Sequence, residues 1–523
     1  MYRLRPVEAK SWVAWEALVD ATMWEYINVH LRNLGHEEYL AHYTGFRQGY
    51  QLIMKVLTSF VCVAACAQAQ LQSQNNTFNS TFTLTAAQIE AANLSSATAH
   101  DVEIALRTER TNNAGYLTQD DPFYKLPANL SFSDLPPSGS ILKVEEHTNN
   151  SLYTIPPTLS LSRFLYVSET LNGSKVPASA YVLWPFTPRR NRKSKSTSPG
   201  VYETIGQAHG TSGQTTACAP SGLRNLWDDF HGPFAAALAG FAVVGTDYVG
   251  LGIPHIDSPY FVLPSQANDV FHAVAAAQKH WSTQLSKDFV LMGQSQGGGT
   301  TWAGAQRQAQ RPVDGYLGTV AASPFTDVLA DIAGQNSGQV NARVAGIAQG
   351  LKGVRDNFTL SEWLTDAGVA RTKLMLELQA CGGVAGHLFS PAEGVQFLKP
   401  GWNETESATW WNNITSNGER PFAGPMLVLQ GDKDGNAIER VTTAAVKKTC
   451  EMFPQSKLQY SMYEGVTHAP IMYAAHNEWI NWISDRFDGV ELESGCKLET
   501  VQAGRGADNT IKDQNWFIEY DLY

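Results

Sequence analysis

The segment Asp288-Phe289-Val290-Leu291-Met292-Gly293-Gln294-Ser295-Gln296-Gly297-Gly298-Gly299 carries the most specific chemical signal in the chain. A strand-like apolar run enters Gly-x-Ser-x-Gly, and a helix-like stretch over 297–310 leaves it. In that context the serine hydroxyl stands on a strained turn, and small residues two before and two after it let strand and helix pass closely. A hydroxyl at neutral pH is a poor nucleophile and needs a base. Downstream, the apolar run 425–430 ends in Gly431-Asp432-Lys433-Asp434, which puts a carboxylate just past a strand tip. Asp434 is the expected acid, and Asp432 the alternative. The run 458–463 then leads to Glu464-Gly465-Val466-Thr467-His468-Ala469-Pro470, where a loop histidine can serve as base. His476 competes for that role, but its neighbours read as helix. Ser295, His468 and Asp434 are thus the expected nucleophile, base and acid.

Attack by such a serine on a carbonyl needs two N–H donors aimed at the developing negative charge. The backbone of Gln296, directly after the nucleophile, supplies one. The other is expected from Thr211 in Gln207-Ala208-His209-Gly210-Thr211-Ser212-Gly213, where small residues let the backbone approach a substrate. His209 reads as a structural member of this loop. No CxxC or Cys/His cluster has metal-ligand spacing, so neither metal nor cofactor is expected.

These residues need a scaffold. Strand-like runs fall at 141–147, 162–168, 178–184, 201–207, 241–246, 289–292, 317–321, 426–430 and 458–463. Helical segments fall near 223–238, 266–280, 297–310, 439–453 and 472–486. Such alternation implies an α/β fold whose mostly parallel central sheet is flanked by helices. Residues 327–419 separate two consecutive strands by too much for a simple connection, so they form an inserted, largely helical cap. The core is then 136–326 and 420–490, preceded by a surface segment, 70–135, with one helix near 85–96, and followed by a tail, 491–523. The run Arg189-Arg190-Asn191-Arg192-Lys193-Ser194-Lys195 reads as a solvated loop.

Composition narrows the class. The 523 residues are 43% hydrophobic and 17% charged, which excludes disorder and coiled coils. A net charge of −11 argues against a nucleic-acid partner. Met54-Lys55, the apolar run 56–66 and Ala67-Gln68-Ala69 have the layout of a secretory signal peptide, 54–69, with 1–53 as a gene-model extension and a mature start near Gln70. Nine Asn-x-Ser/Thr sites follow, at Asn75, Asn79, Asn93, Asn129, Asn149, Asn172, Asn357, Asn403 and Asn413, as expected of a secreted glycoprotein. Cys218, Cys381, Cys450 and Cys496 remain after the signal, and four cysteines allow three pairings.

The chain resembles the α/β-hydrolase superfamily and, within it, the secretory lipases of the Candida antarctica lipase A type. The likeness covers about 142–487 and rests on several segments. They are Cys218-Ala219-Pro220-Ser221, Val243-Val244-Gly245-Thr246-Asp247-Tyr248-Val249-Gly250-Leu251-Gly252, the serine turn, the long insertion, and the Asp434 and His468 loops. The chain departs from that family where Gln294 and Gln296 replace the commoner Tyr and Gly, and where His209-Gly210 looks more like generic esterases. The resemblance implies a lipase or esterase with a mobile cap. It also implies the pairs Cys218–Cys381 and Cys450–Cys496. The expected partner is a small-molecule or lipid ester, with lipid-interface contact through the cap. Phe358, Trp363, Phe389, Phe397, Trp402, Trp410 and Trp411 in the insertion either face an apolar substrate or form the cap's own core. A peptidase or acyltransferase could use the same three residues. Cap carboxylates Glu362, Asp366 and Glu377 would then be candidates to hold a substrate amine. A catalytically silent binding protein would need none of the three. Tannases and feruloyl esterases join the residues before Ser and His by a disulfide, and here those are Gln294 and Thr467.

Overall fold

Ten strands of five to ten residues form among the described residues. These are β1 (Ile141–Glu145), β2 (Ser160–Glu169), β3 (Lys175–Trp184), β4 (Tyr202–Ala208), β5 (Ala242–Thr246), β6 (Leu285–Gln294), β7 (Tyr316–Ala322), β8 (Met426–Gly431), β9 (Leu458–Tyr463) and β10 (Cys496–Val501). The computed structural model describes residues 82–128, 130–190 and 201–511. The expected signal peptide, the segment before it, Asn75, Asn79, Asn129 and most of the basic run lie outside the described residues. One sheet has the order β1-β2-β3-β5-β4-β6-β7-β8-β9-β10. Its β1–β2, β2–β3 and β3–β5 pairs are antiparallel, and the rest are parallel.

The helices in chain order are α1 (Ala86–Ala91), α2 (Ser96–Thr111), α3 (Pro233–Leu238), α4 (Leu263–His280), α5 (Gln296–Gln310), α6 (Val328–Ile332), α7 (Gly338–Leu351), α8 (Asp366–Glu377), α9 (Gly382–Leu388), α10 (Glu406–Thr415), α11 (Glu439–Met452), α12 (Ile471–Ala474) and α13 (His476–Phe487). Successive strand residues point to opposite faces, so each strand feeds two cores. Val243, Val290 and Met292 pack with Phe234 of α3 and Trp479 and Ile483 of α13. Val244 and Leu291 pack with Val270, Phe271 and Val274 of α4. Trp302 of α5 and Val446 of α11 cover Met426 and Val428 on β8. Covering both faces explains why β5 and β8 are buried at every position.

Several sequence expectations need correction. The single helix near 85–96 is two, because Asn93 takes φ 48° and Ser95 caps α2 by accepting from Thr98 N. The helix expected at 223–238 shrinks to α3. Leu226, Trp227 and Asp229 adopt positive φ, and Pro233 opens the helix. The tail contributes β10, a parallel edge strand beside β9, whose exposed Lys497 and Glu499 guard the sheet edge. Arg189, read as solvated, is half-buried and pairs with Glu203 at 2.8 Å and Asp488 at 2.9 Å.

Part of the segment expected at the surface packs against the insertion. Leu84, Leu94, Val102 and Leu106 join Trp363, Phe389, Phe397 and Trp411 in one buried cluster. Buried Arg371 on α8 donates to the carbonyls of Ala92, Asn93 and Leu388, and Glu109 on α2 accepts from the amides of Cys381 and Val384. Trp363 Nε1 donates to Thr405 and Ser407, and Trp411 Nε1 to the Phe261 carbonyl. Five of these rings, Phe358, Trp363, Phe389, Phe397 and Trp411, are therefore buried in a core that the insertion shares with 84–106 and with residues before α4. Trp402 and Trp410 pack against the same cluster.

Disulfides join Cys218 to Cys381 and Cys450 to Cys496, closing 163 and 46 residues. The first ties the start of α9 to the loop after β4, where Gly382 N also donates to the Ser212 carbonyl. Chain-entropy reasoning gives a loop of that length roughly 4–5 kcal/mol. The Cys218→Ser/Cys381→Ser double variant should unfold at clearly lower denaturant than the parent. An unchanged midpoint would show that the bond constrains nothing.

Candidate active site

Ser295 sits between β6 and α5 with φ 62° and ψ −123°, a conformation rare for any residue with a side chain. Gly293 and Gly297 make it possible. A Cβ on Gly293 would lie 2.4 Å from the Gly297 carbonyl, and one on Gly297 would lie 2.0 Å from the Ala208 carbonyl. The Ser295 amide donates to Ala322 on β7, fixing the turn to the sheet. From this turn Ser295 Oγ lies 2.8 Å from His468 Nε2. His468 Nδ1 lies 2.9 and 2.8 Å from the two carboxylate oxygens of Asp434. The three residues expected from sequence are thus brought together.

The acid loop shows why Asp434, and not Asp432, reaches the histidine. Asp434 Oδ1 also accepts from the amides of Asn436 and Ala437, and Oδ2 from Gln430 Nε2. Burial pushes this carboxyl up. The charge and hydrogen bond of His468, with help from Asn436 and Ser323, outweigh burial and hold it below the usual carboxylate range. Asp432 instead accepts from the Gly465 amide at 2.6 Å and pairs with Lys433, clasping the acid loop to the histidine loop. His476 opens α13 and packs edge-on against Trp479.

Gln296 is the first residue of α5, where backbone N–H groups have no intrahelical acceptor. Thr211 lies across from it: Thr211 Oγ1 donates to Gln296 Oε1 at 2.9 Å and meets Tyr260 Oη at 3.1 Å. The two expected donors therefore belong to loops clasped side by side. The loop behind them is held by groups the sequence did not single out. Buried Asp228 accepts from the Gly210 amide and from Gln207 Nε2, and burial raises its pKa to about 7. His209 is structural. Burial drops its pKa to about 4, its Nδ1 donates to the Gly210 carbonyl, and its ring stacks on Tyr248.

Gln294, which precedes Ser295, donates through Nε2 to the His468 carbonyl at 3.1 Å. A single hydrogen bond thus links the residue before Ser295 to the histidine loop. Its sequence signal was the departure from Tyr at this position. Phe325 packs edge-on to the His468 ring at 6.1 Å, and Arg343 on α7 lies 4.7 Å above Phe325. Half-buried His231, whose pKa falls to about 4 through burial and the charge of His468, lies tilted against Tyr473 at 5.0 Å. The cap carboxylates Glu362, Asp366 and Glu377 are exposed; Glu362 accepts from Ser407 and Glu377 from Gln88. No group of His, Cys, Asp and Glu among the described residues is arranged to hold a metal.

No protein-family model matches the sequence, and no curated protein does. Solved structures are similar in fold. Candida antarctica lipase A in its closed state superposes with a TM-score of 0.59 at 15% identity, over 74% of this chain and 91% of that one. The rice cell wall degrading esterase LipA from Xanthomonas oryzae, in a ligand-bound form, gives 0.51 at 18% identity, over 67% of this chain and 97% of that one. With the strand order and the serine turn, these likenesses give the chain an α/β-hydrolase fold carrying an inserted cap.

Proposed function

We propose that the protein is a secreted serine hydrolase of carboxylic esters. The observation that carries this reading is the 2.8 Å approach of His468 Nε2 to Ser295 Oγ, with Asp434 on the opposite ring nitrogen. His468 takes the Ser295 proton as Oγ attacks the ester carbonyl. The Gln296 and Thr211 amides receive the oxyanion. As the intermediate collapses, His468 returns the proton to the leaving alcohol. Water, deprotonated by His468, then hydrolyses the acyl-enzyme. Asp434 keeps Nδ1 protonated and stabilises the imidazolium.

Export is supported by the two disulfides and by the exposure of the six described glycosylation sites, Asn93, Asn149, Asn172, Asn357, Asn403 and Asn413. No described helix is long and apolar enough to cross a membrane. N-terminal sequencing of material exported by a eukaryotic host should read from at or near Gln70. A first residue before Met54 would refute the assigned signal.

The triad is tested on short 4-nitrophenyl esters. Ser295→Ala should abolish turnover with the fold intact. Asp434→Asn should cut kcat by about four orders of magnitude. Asp432→Asn, which keeps an acceptor for Gly465, should cost little, and equal losses in the two asparagine variants would refute the choice of acid. Gln294→Leu removes the donor on the His468 carbonyl. It should lower kcat about ten-fold or more while KM stays near that of the parent. A rise in KM alone would assign Gln294 to substrate binding instead.

A further inference from the structure

Helix α7 crosses the core with one stripe pressed against it. Residues three to four apart share a helix face. Gly346 and Gly350 leave no room for a side chain: a Cβ would lie 2.6 Å from Gln214 and 2.6 Å from the Ser258 carbonyl, respectively. Arg343, one turn earlier on this stripe, extends from the cap toward the candidate active site. Its guanidinium lies over Phe325, the ring that packs against His468. Its charge also acts on Tyr260, whose hydroxyl meets Thr211. Nη2 reaches Asn436 Oδ1 at 3.4 Å, next to the residue that holds His468. Arg343 therefore touches groups adjoining the proposed base and the acid loop, and its charge reaches the tyrosine beside the Thr211 loop.

Its charge has no counter-ion. No carboxylate among the described residues lies within ion-pair distance of Arg343, whereas Arg163 and Arg189 each close on two. The nearby carboxyl of Asp331 is not in ion-pair contact with it. Burial raises that carboxyl to about 8, against the pull of the Ile438 amide and of the Arg343 charge. Asp331 Oδ1 is engaged by the Ile438 amide, and Oδ2 is buried without a partner. A half-buried guanidinium beside a reaction centre, unpaired by its own protein, is a site for an anion.

We infer that Arg343 binds a free carboxylate carried by the ester substrate, so that the preferred substrates are half-esters of dicarboxylic acids or esters of carboxylated alcohols. This rests on the serine-hydrolase reading above and names its substrate class. The carboxylate would pair with the planar guanidinium while the ester carbonyl lies at Ser295, and so fix the ester's direction in the site.

The test compares charged with neutral isosteres on the full-length secreted enzyme. For the acyl side, the mono-4-nitrophenyl esters of succinic, glutaric and adipic acid are set against 4-nitrophenyl butyrate, valerate and hexanoate. For the alcohol side, 4-acetoxybenzoate is set against phenyl acetate. In one of the two series the charged ester should be preferred about ten-fold or more in kcat/KM. Arg343→Gln should collapse that ratio, and Arg343→Lys should restore part of it. A preference for the neutral ester in both series overturns the inference. So does an Arg343→Gln variant that slows both members of a pair in proportion, since that marks a strut. Labelling of Ser295 by a fluorophosphonate separates the two levels. An enzyme that labels and cleaves neutral esters without charge preference refutes this inference alone. One that neither labels nor cleaves any ester refutes the hydrolase reading and this inference with it.

Discussion

The structure turns on a place where two backbones pass too closely for side chains. Ser295 holds φ 62°, a conformation that costs on the order of 1–3 kcal/mol and persists only where the surroundings over-determine it. Here they do. β6 enters between β4 and β7, the Ser295 amide is bound by Ala322, and α5 begins at once, with Gly299 N donating to the Ser295 carbonyl. The missing side chain at Gly297 has a second consequence. Its Cβ would meet the carbonyls of both Ala208 and His209, just ahead of Thr211. The contact that permits the turn therefore also sets how near the Thr211 loop can come to the start of α5.

That loop is held at both ends by buried carboxylates, which is expensive unless each is fully engaged. Asp228 receives the Gly210 amide. Asp247 receives Ser179 Oγ, Ser221 Oγ and the Ser221 amide at 2.6, 2.5 and 2.7 Å. Ser221 belongs to the Cys-Ala-Pro-Ser segment and Asp247 to the Asp-Tyr-x-Gly-Leu-Gly segment. The two stretches that carried the family resemblance are thus halves of one hydrogen-bonded lock. Tyr124 closes it by meeting Ser221 Oγ at 2.7 Å. Cys218 lies within the same lock, so its disulfide ties the cap to this hydrogen-bonded part of the loop system.

What the sequence made legible follows from how local each signal is. Ser295, Asp434 and His468 could be read because each lies at the C-terminal end of a strand that a short apolar run announces. The strands were read to within a few residues for the same reason. The misreadings are non-local. β10 is a half-exposed edge whose alternation is weak, and its pairing with β9 depends on chain 38 residues away at Cys496–Leu458. The stretch 223–238 looked helical because composition does not reveal positive φ at Leu226 and Trp227. The cap's rings were ambiguous because an aromatic side chain fits a core and a ligand wall equally well. Only their contacts with Leu84, Leu94 and Val102, more than 250 residues earlier, decide between them.

Those contacts alter how access to Ser295 has to be understood. The insertion does not stand alone. Its core is shared with α1 and α2, and Arg371 and Glu109 stitch the two sequence-distant parts through backbone groups on both sides. A cluster so well packed resists internal deformation, so any displacement of the cap must carry α1 and α2 with it. Cys218–Cys381 and the Gly382–Ser212 hydrogen bond fix this body beside the Thr211 loop. Arg343 and its helix lie on the same body and reach the Asp434 loop through a hydrogen bond to Asn436. Selectivity in an enclosed site comes from a few placed polar groups, and the bulk of its apolar lining contributes burial. In this cap most aromatic side chains are buried in the shared cluster, and Arg343 of α7 is a polar group that the same body places beside Phe325.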